Sequence, residues 1–340
     1  MRLRWRPCVK HRCRRHGWSG KTCMKKALIV GVLGQDGGYL GRLLLEKGYE
    51  VHGTSRDPAR AAFSGLRSLG VADRVVIHAM TPTDFSSVLS LLRHVEADEI
   101  YNLSGQSSVG LSFRQPLETF DSITIATMHI LECIRVLEKP VRFYSAGSSE
   151  VFGNTPTPAD ESTPFRPRSP YATAKAAAQN AVTNYREAYS LHASTGILFN
   201  HESPFRPERF VTSKVVHAAK RIAAGSRERL SLGNLEVRRD WGWAPEYVDA
   251  MWRIVQHEKA DDFVIATGRS HSLREFVERA FACVNLDARD HVDEHAETAR
   301  PSDLAVSAGN PTKAHAALGW RATYDLDMIV RALMQPDDTA

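Results

Sequence analysis

No stretch of this sequence approaches about 18 consecutive apolar residues, so a membrane-spanning helix is excluded as a reading. Cysteine is scarce: five in 340 residues, three of them (Cys8, Cys13 and Cys23) ahead of Met24. The other two, Cys133 and Cys283, fall in helical apolar patterns and are expected to be buried free thiols, which suits a reducing cytoplasm. Acids are missing from residues 1–23, which carry eight basic residues (Arg2, Arg4, Arg6, Lys10, Arg12, Arg14, Arg15 and Lys21). Without that tail the count is 36 basic against 39 acidic residues, so the net charge of +5 is no nucleic-acid signature. The tail lacks the apolar centre of a secretory signal. It reads either as a disordered leader ahead of a start at Met24 or as a Cys/His metal tract through Cys8, Cys13, His16 and Cys23. The spacing matches no standard zinc pattern, which favours the leader. No convincing metal site stands out elsewhere, and no repeat or low-complexity segment follows Met24.

What is present is a βα rhythm. With 43% hydrophobic residues the chain can bury a large core, as one big domain or two. Ala27–Val32, Val51–Ser55, Val75–His78, Ile100–Leu103 and Arg142–Ala146 read as strands. Tyr39–Lys47, Ser86–His94, Ile123–Leu137 and Tyr171–Tyr189 read as helices between and after them. The alternation predicts an α/β fold: a doubly wound parallel (Rossmann) sheet with a smaller C-terminal α/β substrate lobe. Residues 24–200 hold the dinucleotide-binding part, open to completion by later segments, and 201–340 mainly the substrate lobe. Past residue 200 the elements shorten: a strand at Phe263–Ala266, a capping box at Ser272–Glu275 opening a helix to about Val284, and helices at Pro311–Leu318 and Leu326–Met334.

Three stretches carry chemistry. Gly31-Val-Leu-Gly34-Gln35-Asp36-Gly37 follows the first strand and opens a helix, where bare backbone can approach a pyrophosphate. At the end of the second strand Arg56 suits a 2′-phosphate and hence NADP, while Asp57 beside it suits the ribose diol of NAD. Leu103-Ser104-Gly105-Gln106-Ser107 ends the fourth strand with small residues across which a cofactor can lie. The third stretch is Ser148-Ser149-Glu150 with Tyr171-Ala-Thr-Ala-Lys175. Tyr171 and Lys175, four apart, share a helix face, and the ammonium is expected to lower the phenol from about 10. Ser148 and Glu150, two apart after an apolar run, are expected on one side of a strand end. One group can remove a hydroxyl proton and the other move a second, more than an alcohol dehydrogenase needs. His52, His78 and His129 read as structural or surface groups, and Trp241, Trp243 and Trp252 as packing.

These stretches, with Asp98-Glu-Ile-Tyr-Asn-Leu103, Pro167-Arg-Ser-Pro-Tyr-Ala172, Gly196-Ile-Leu-Phe-Asn-His-Glu-Ser-Pro204, Arg239-Asp-Trp-Gly242 and Asp262-Phe-Val-Ile-Ala-Thr-Gly268, resemble the extended short-chain dehydrogenase/reductases. Within them they resemble the GDP-mannose 4,6-dehydratases, from about Met24 to Trp320. The resemblance implies a Tyr171 base with Lys175 as partner, Glu150 as second acid/base, and Ser148 where the family usually has Thr. It implies cofactor contacts at His201 and Arg206, and nucleotide-sugar contacts at Ser149, Asn200, Lys214, Arg239 and Arg300. The implied reaction oxidises C4 of a GDP-sugar, eliminates water across C5–C6 and returns the hydride to C6, with NADP unchanged overall. GDP-mannose is the first substrate reading. A GDP-manno-heptose, a 4-ketoreductase and a non-catalytic protein binding through its tail are the alternatives; Glu150 and the intact Ser148/Tyr171/Lys175 set weigh against the last two. The chain departs from the family at Met80-Thr81-Pro82 (usually Gly-Asp-Leu), Glu118 (Tyr) and Arg300-Pro-Ser-Asp303 (Arg-Pro-Thr-Glu). The segment after Arg56 is shorter than the loop through which family tetramers form, so a homodimer is expected ahead of a homotetramer.

Overall fold

The computed structural model describes residues 24–61, 63–295 and 302–335. The first half runs β1 (Lys26–Val30), α1 (Gln35–Glu46), β2 (Glu50–Ser55), α2 (Ser64–Ser68), β3 (Val75–Ala79), α3 (Phe85–Val95), β4 (Glu99–Asn102), α4 (Val109–Ser112), α5 (Pro116–Phe120), α6 (Ala126–Leu137), β5 (Arg142–Ala146) and α7 (Pro170–Tyr189). The second half runs β6 (His192–Leu198), β7 (Asn200–Glu202), α8 (Val211–Ala223), β8 (Leu230–Leu232), β9 (Arg238–Trp243), α9 (Ala244–Gln256), β10 (Asp262–Ile265), β11 (Ser270–Ser272), α10 (Leu273–Ala282), β12 (Val292–Glu294), β13 (Val306–Ser307), α11 (Thr312–Leu318) and α12 (Leu326–Met334). No helix among the described residues is long and apolar enough to cross a membrane.

Seven strands pair in parallel in the order β3-β2-β1-β4-β5-β6-β10. The direction of strand addition reverses between β1 and β4, which opens a crevice at the carboxyl ends of those strands. Side chains alternate across a strand, and β1 feeds two cores. Ala27 and Ile29 pack with Leu40 and Leu44 of α1 and Met251 and Ile254 of α9. Leu28 and Val30 pack with Val88 and Leu92 of α3 and Ile130 and Ile134 of α6. Full burial of one such side chain contributes about 1.5–3 kcal/mol, so one short strand ties four helices together.

Local signals set the element ends. Asp84 caps α3 by accepting from the Ser86 and Ser87 amides at 2.9 and 3.3 Å, and Glu96 ends it at φ 52°. The expected capping box is present: the Ser272 hydroxyl accepts from the Glu275 amide at 3.1 Å, and Glu275 accepts from the Ser272 amide at 3.3 Å. The helix expected at Tyr39 begins earlier, at Gln35, because the Gly-rich turn itself starts it. The helix expected from Ile123 opens as a widened π turn, Asp121–Ile125, before α6.

The later segments do join the first sheet, since its seventh strand is β10 and α9 packs on α1. The rest gathers around a second core, where Trp241 and Trp243 pack with Val215, Phe276, Phe281 and Ile329. Trp252 lies against the other core and donates to the Tyr49 hydroxyl at 3.3 Å. His129 faces the Pro82 carbonyl at 3.1 Å, and His52 and His78 bond to one another at 2.8 Å. Cys133 is buried and its thiol is pushed up to about 12 by that burial. Cys283 is a correction: it is exposed, because α10 ends at Ala282 and leaves it as the cap.

Candidate active site

The crevice is built first by the Gly31–Gly37 turn. Gly31 sits at φ +93°, and a Cβ there would lie 3.1 Å from the Leu103 carbonyl carbon and the Ser104 amide, so this turn rests on the end of β4. A Cβ on Gly37 would strike the Gly31 carbonyl at 2.4 Å, so only glycine lets α1 start this close. Gly34 caps α1 without a side chain, and a Cβ there would meet only the Gly31 carbonyl, at 3.4 Å. The helix thus presents amide hydrogens and the positive end of its dipole to an open face, the chemistry that receives a pyrophosphate. Across the crevice the Leu103 amide donates to Val30 at 2.9 Å. Ser104 bonds Asn102 at 2.7 Å, Gln106 donates to the Ser108 carbonyl at 2.8 Å, Gly105 takes φ +117° and Ser107 is exposed. These residues fit a dinucleotide.

The catalytic candidates stand at the same end of the sheet. β5 stops at Ala146, and Ser148 caps a short 3₁₀ turn, Ser149–Phe152, by accepting from the Glu150 amide at 3.3 Å. Ser148 and Glu150 therefore do not share a strand face as expected; the turn brings them together instead. Ser149 is buried and Glu150 half-buried. α7 opens with Ser169 as cap, accepting from the Ala172 amide at 3.1 Å, which puts Tyr171 in its first turn. Ser148 lies beside the Tyr171 phenol, near enough to favour its charged form.

Lys175, one turn on, donates from Nζ to the Ala146 carbonyl at 2.7 Å, and its Nζ lies 5.9 Å from the Tyr171 ring centre. Burial pushes the phenol up to about 12, with the Glu150 charge adding to it and Ser148 and Arg206 opposing it. The expected lowering of Tyr171 by Lys175 is therefore not what this arrangement gives, because the ammonium is turned to the β5 carbonyl. Burial brings Lys175 itself down to about 8 against the pull of Asp36.

Gln35 and Asp36 are engaged inside the protein. The His201 Nε2 faces the two Asp36 oxygens at 3.0 and 2.9 Å, and its Nδ1 faces the Phe199 carbonyl at 2.8 Å. With acceptors on both sides the ring is an imidazolium. Its pKa is raised by Asp36 against burial, and the Asp36 carboxyl is lowered by His201, again against burial. Gln35 donates to the His201 carbonyl at 3.3 Å and accepts from Ser203 at 2.8 Å. The Gly-rich turn is thus latched to β7, and His201 stacks on Tyr247 with centroids 4.5 Å apart. This latch spans 165 residues of sequence and was not legible in either partner alone.

The remaining candidates are dispersed. Arg206 follows the β7 strand, and its charge reaches Tyr171, Asp36 and His201. Asn200 opens β7 opposite Trp241 of β9. Lys214 donates to the Ser231 carbonyl at 2.7 Å. Arg239, nearly buried, is bound to the Leu304 carbonyl at 2.8 Å and to Asp303 at 2.9 Å. Asp303 is a partner that the motif reading named only as a departure. Arg56 is exposed just past β2. The adjacent Asp57 carboxylate accepts from the Ala59 and Arg60 amides at 3.1 and 3.3 Å, so it shapes its own turn. Met80 is buried among core residues, and Glu118 is exposed. Arg300 and the tail residues Cys8, Cys13, His16 and Cys23 lie outside the described residues.

The family model for GDP-mannose 4,6 dehydratase matches residues 28–333. GDP-mannose 4,6 dehydratase 1 of Arabidopsis thaliana is 43% identical over 323 residues, 92% of this chain and 90% of that protein. The GDP-mannose 4,6-dehydratase of Sinorhizobium fredii is 42% identical, over 88% of this chain and 93% of its own length. The crystal structure of dTDP-glucose 4,6-dehydratase from Bacillus anthracis, in complex with NAD, superposes with TM-score 0.80 at 16% identity, covering 91% of this chain and 95% of that one. That last likeness is one of fold. Identity above 40% along nine-tenths of the chain, on a doubly wound sheet with this crevice, makes the chain a member of the GDP-mannose 4,6-dehydratase family.

Proposed function

We propose that this protein is an NADP-dependent hydro-lyase that converts GDP-mannose to the GDP-4-keto-6-deoxy sugar. The observation that carries the reading is one cluster: Tyr171 with Ser148, Lys175 and Glu150 around it, at the sheet end that also holds the uncapped Gly-rich turn. When bound, an oxidised nicotinamide supplies a hydride acceptor and a positive charge. Gly31, Gly34 and Gly37 with the α1 amides would hold its pyrophosphate, Leu103–Ser107 would border it, and Arg56 would take a 2′-phosphate.

The rest follows from the side chains. Tyr171 receives the C4 hydroxyl proton, and Ser148, beside the phenol, orients that hydroxyl. Lys175, charged at neutral pH with a pKa of about 8 and held on the Ala146 carbonyl, adds positive charge to the site one turn along α7. The C4 ketone acidifies C5–H, Glu150 removes that proton and passes it to the departing C6 hydroxyl, which leaves as water. A ketoreductase needs no second base, so Glu150 separates the two chemistries. Arg239, Lys214, Asn200, Ser149 and Arg300 would hold the nucleotide sugar, Arg and Lys being suited to phosphate.

The enzyme works in the cytoplasm, where Cys133 and Cys283 stay reduced, and as a homodimer ahead of a homotetramer. Exposed Ile125, Met128, Val136 and Tyr189 on and beside α6 and α7 suit such a contact. The test is turnover of GDP-mannose with NADP⁺ followed by mass spectrometry. A product lighter by one water, with no net reduction of cofactor, supports the reading. A product with its C6 oxygen retained, or net consumption of NADPH, refutes it.

A further inference from the structure

Glu202 is 1% exposed, an acid in the middle of a buried segment. Burying a carboxylate is costly unless partners offset the lost hydration. Among the described residues its partners share one oxygen: the Thr212 hydroxyl at 2.7 Å and the Arg206 Nε at 3.4 Å. The second distance is an ion pair rather than a hydrogen bond, and that Nε has no hydrogen-bond acceptor. On its face the Arg206 guanidinium carbon lies 3.8 Å from the Phe210 ring centre. Its backbone is held at both ends: the Arg206 amide donates to the Ser203 carbonyl at 3.0 Å, and the Arg206 carbonyl accepts from Ser213 at 2.8 Å.

A guanidinium is a planar fork. With its Nε edge against a carboxylate and one face on a ring, its rotation is fixed. No acceptor for its two Nη groups is found among the described residues. The charge so held is the one that reaches Tyr171, Asp36 and His201.

We infer that Glu202 is a positioning residue: seated by Thr212, it fixes the Arg206 fork so that its Nη donors meet an anionic group of the bound dinucleotide. This rests on the nicotinamide-dinucleotide reading above. Glu202 touches no substrate and acts only through Arg206. Its isostere Gln would keep the Thr212 hydrogen bond and lose the charge that orients the guanidinium.

The test is NADPH and NADH binding to the full chain without sugar nucleotide, for wild type, Glu202→Gln, Arg206→Met and the double variant. Glu202→Gln is expected to weaken binding roughly tenfold, the scale of one charge-assisted contact. In the Arg206→Met background the same change should do nothing further. A structural role for Glu202 would instead lower affinity or melting temperature equally in both backgrounds, and that result overturns the proposal. So does a folded Glu202→Gln protein that binds as wild type does. Should Glu202→Gln fail to fold, Thr212→Val carries the test: it should weaken binding only where Arg206 is present, and equal weakening in both backgrounds overturns the inference. A wild type that binds neither dinucleotide overturns the cofactor reading and this proposal with it.

Discussion

The buried Asp36–His201 pair should break unequally depending on which partner is removed. In Asp36→Asn the imidazole can release a proton, keep Nδ1–H on the Phe199 carbonyl and accept at Nε2 from the new amide. Its ordinary pKa of 6.5 lies below neutrality, so that release is free at pH 7. The loss is then the net attraction of one charged hydrogen bond, about 1.5–3 kcal/mol. In His201→Gln the carboxylate stays behind without its countercharge. Its escape is to take up a proton, and at pH 7 an acid whose ordinary value is 3.8 does so at about 4 kcal/mol. That figure caps the penalty, and Arg206, which also favours the charged Asp36, should bring it to about 3–4 kcal/mol. The double variant faces two neutral amides and should recover most of the difference.

Urea unfolding of the four proteins at pH 7 would read these costs directly. The pH dependence adds a sign. His201 is raised, so its share is complete below 6.5 and fades as pH rises through the higher folded value. Asp36 is lowered, so its share is complete above 3.8 and is lost as pH falls through the lower folded value. The pair is therefore worth most between 3.8 and 6.5, and the gap between wild type and Asp36→Asn should narrow on the alkaline side. A His201→Gln protein as stable as Asp36→Asn, or a double variant showing the plain sum of the two losses, would refute the ion-pair reasoning.

Three further outcomes are expected. Glu150→Gln should still oxidise C4 but slow C5–H exchange and product release by roughly 10²-fold or more, as read by solvent deuterium at C5; normal exchange would remove Glu150 from the mechanism. Arg56→Ala should weaken NADPH far more than NADH in direct titrations, and equal weakening would return the choice to Asp57. At the β2–β3 edge, His52 and His78 bond at 2.8 Å, and His78 is lowered by burial and by the neighbouring histidines. The folded state then binds fewer protons than the unfolded one, so stability should fall as pH drops through 6.5, and His78→Gln should flatten that fall.

Sequence patterns showed the sheet and the crevice because both depend on local signals. Glycine spacing, strand alternation and the Ser272–Glu275 box each act within a few residues, and each stands where expected. The Tyr171–Lys175 spacing likewise gave a shared helix edge. It did not give the direction of the ammonium, which is decided by the Ala146 carbonyl 29 residues away. The same limit hid the latch. Asp36 in the Gly-rich turn looks like a liability beside a diphosphate until His201 is brought against it by β7. β7 pairs with β9, which carries Arg239 and, through it, Asp303. One three-residue strand thus stands between the Gly-rich turn, the Arg206 fork and the second core. Its polar sequence, Asn200-His201-Glu202, makes a poor strand by propensity. It is held there by Asp36, 165 residues away, for the histidine, and by the nearby Arg206 and Thr212 for the glutamate. A sequence that looks wrong for its element is, in this strand, where the Gly-rich turn and the second core are joined.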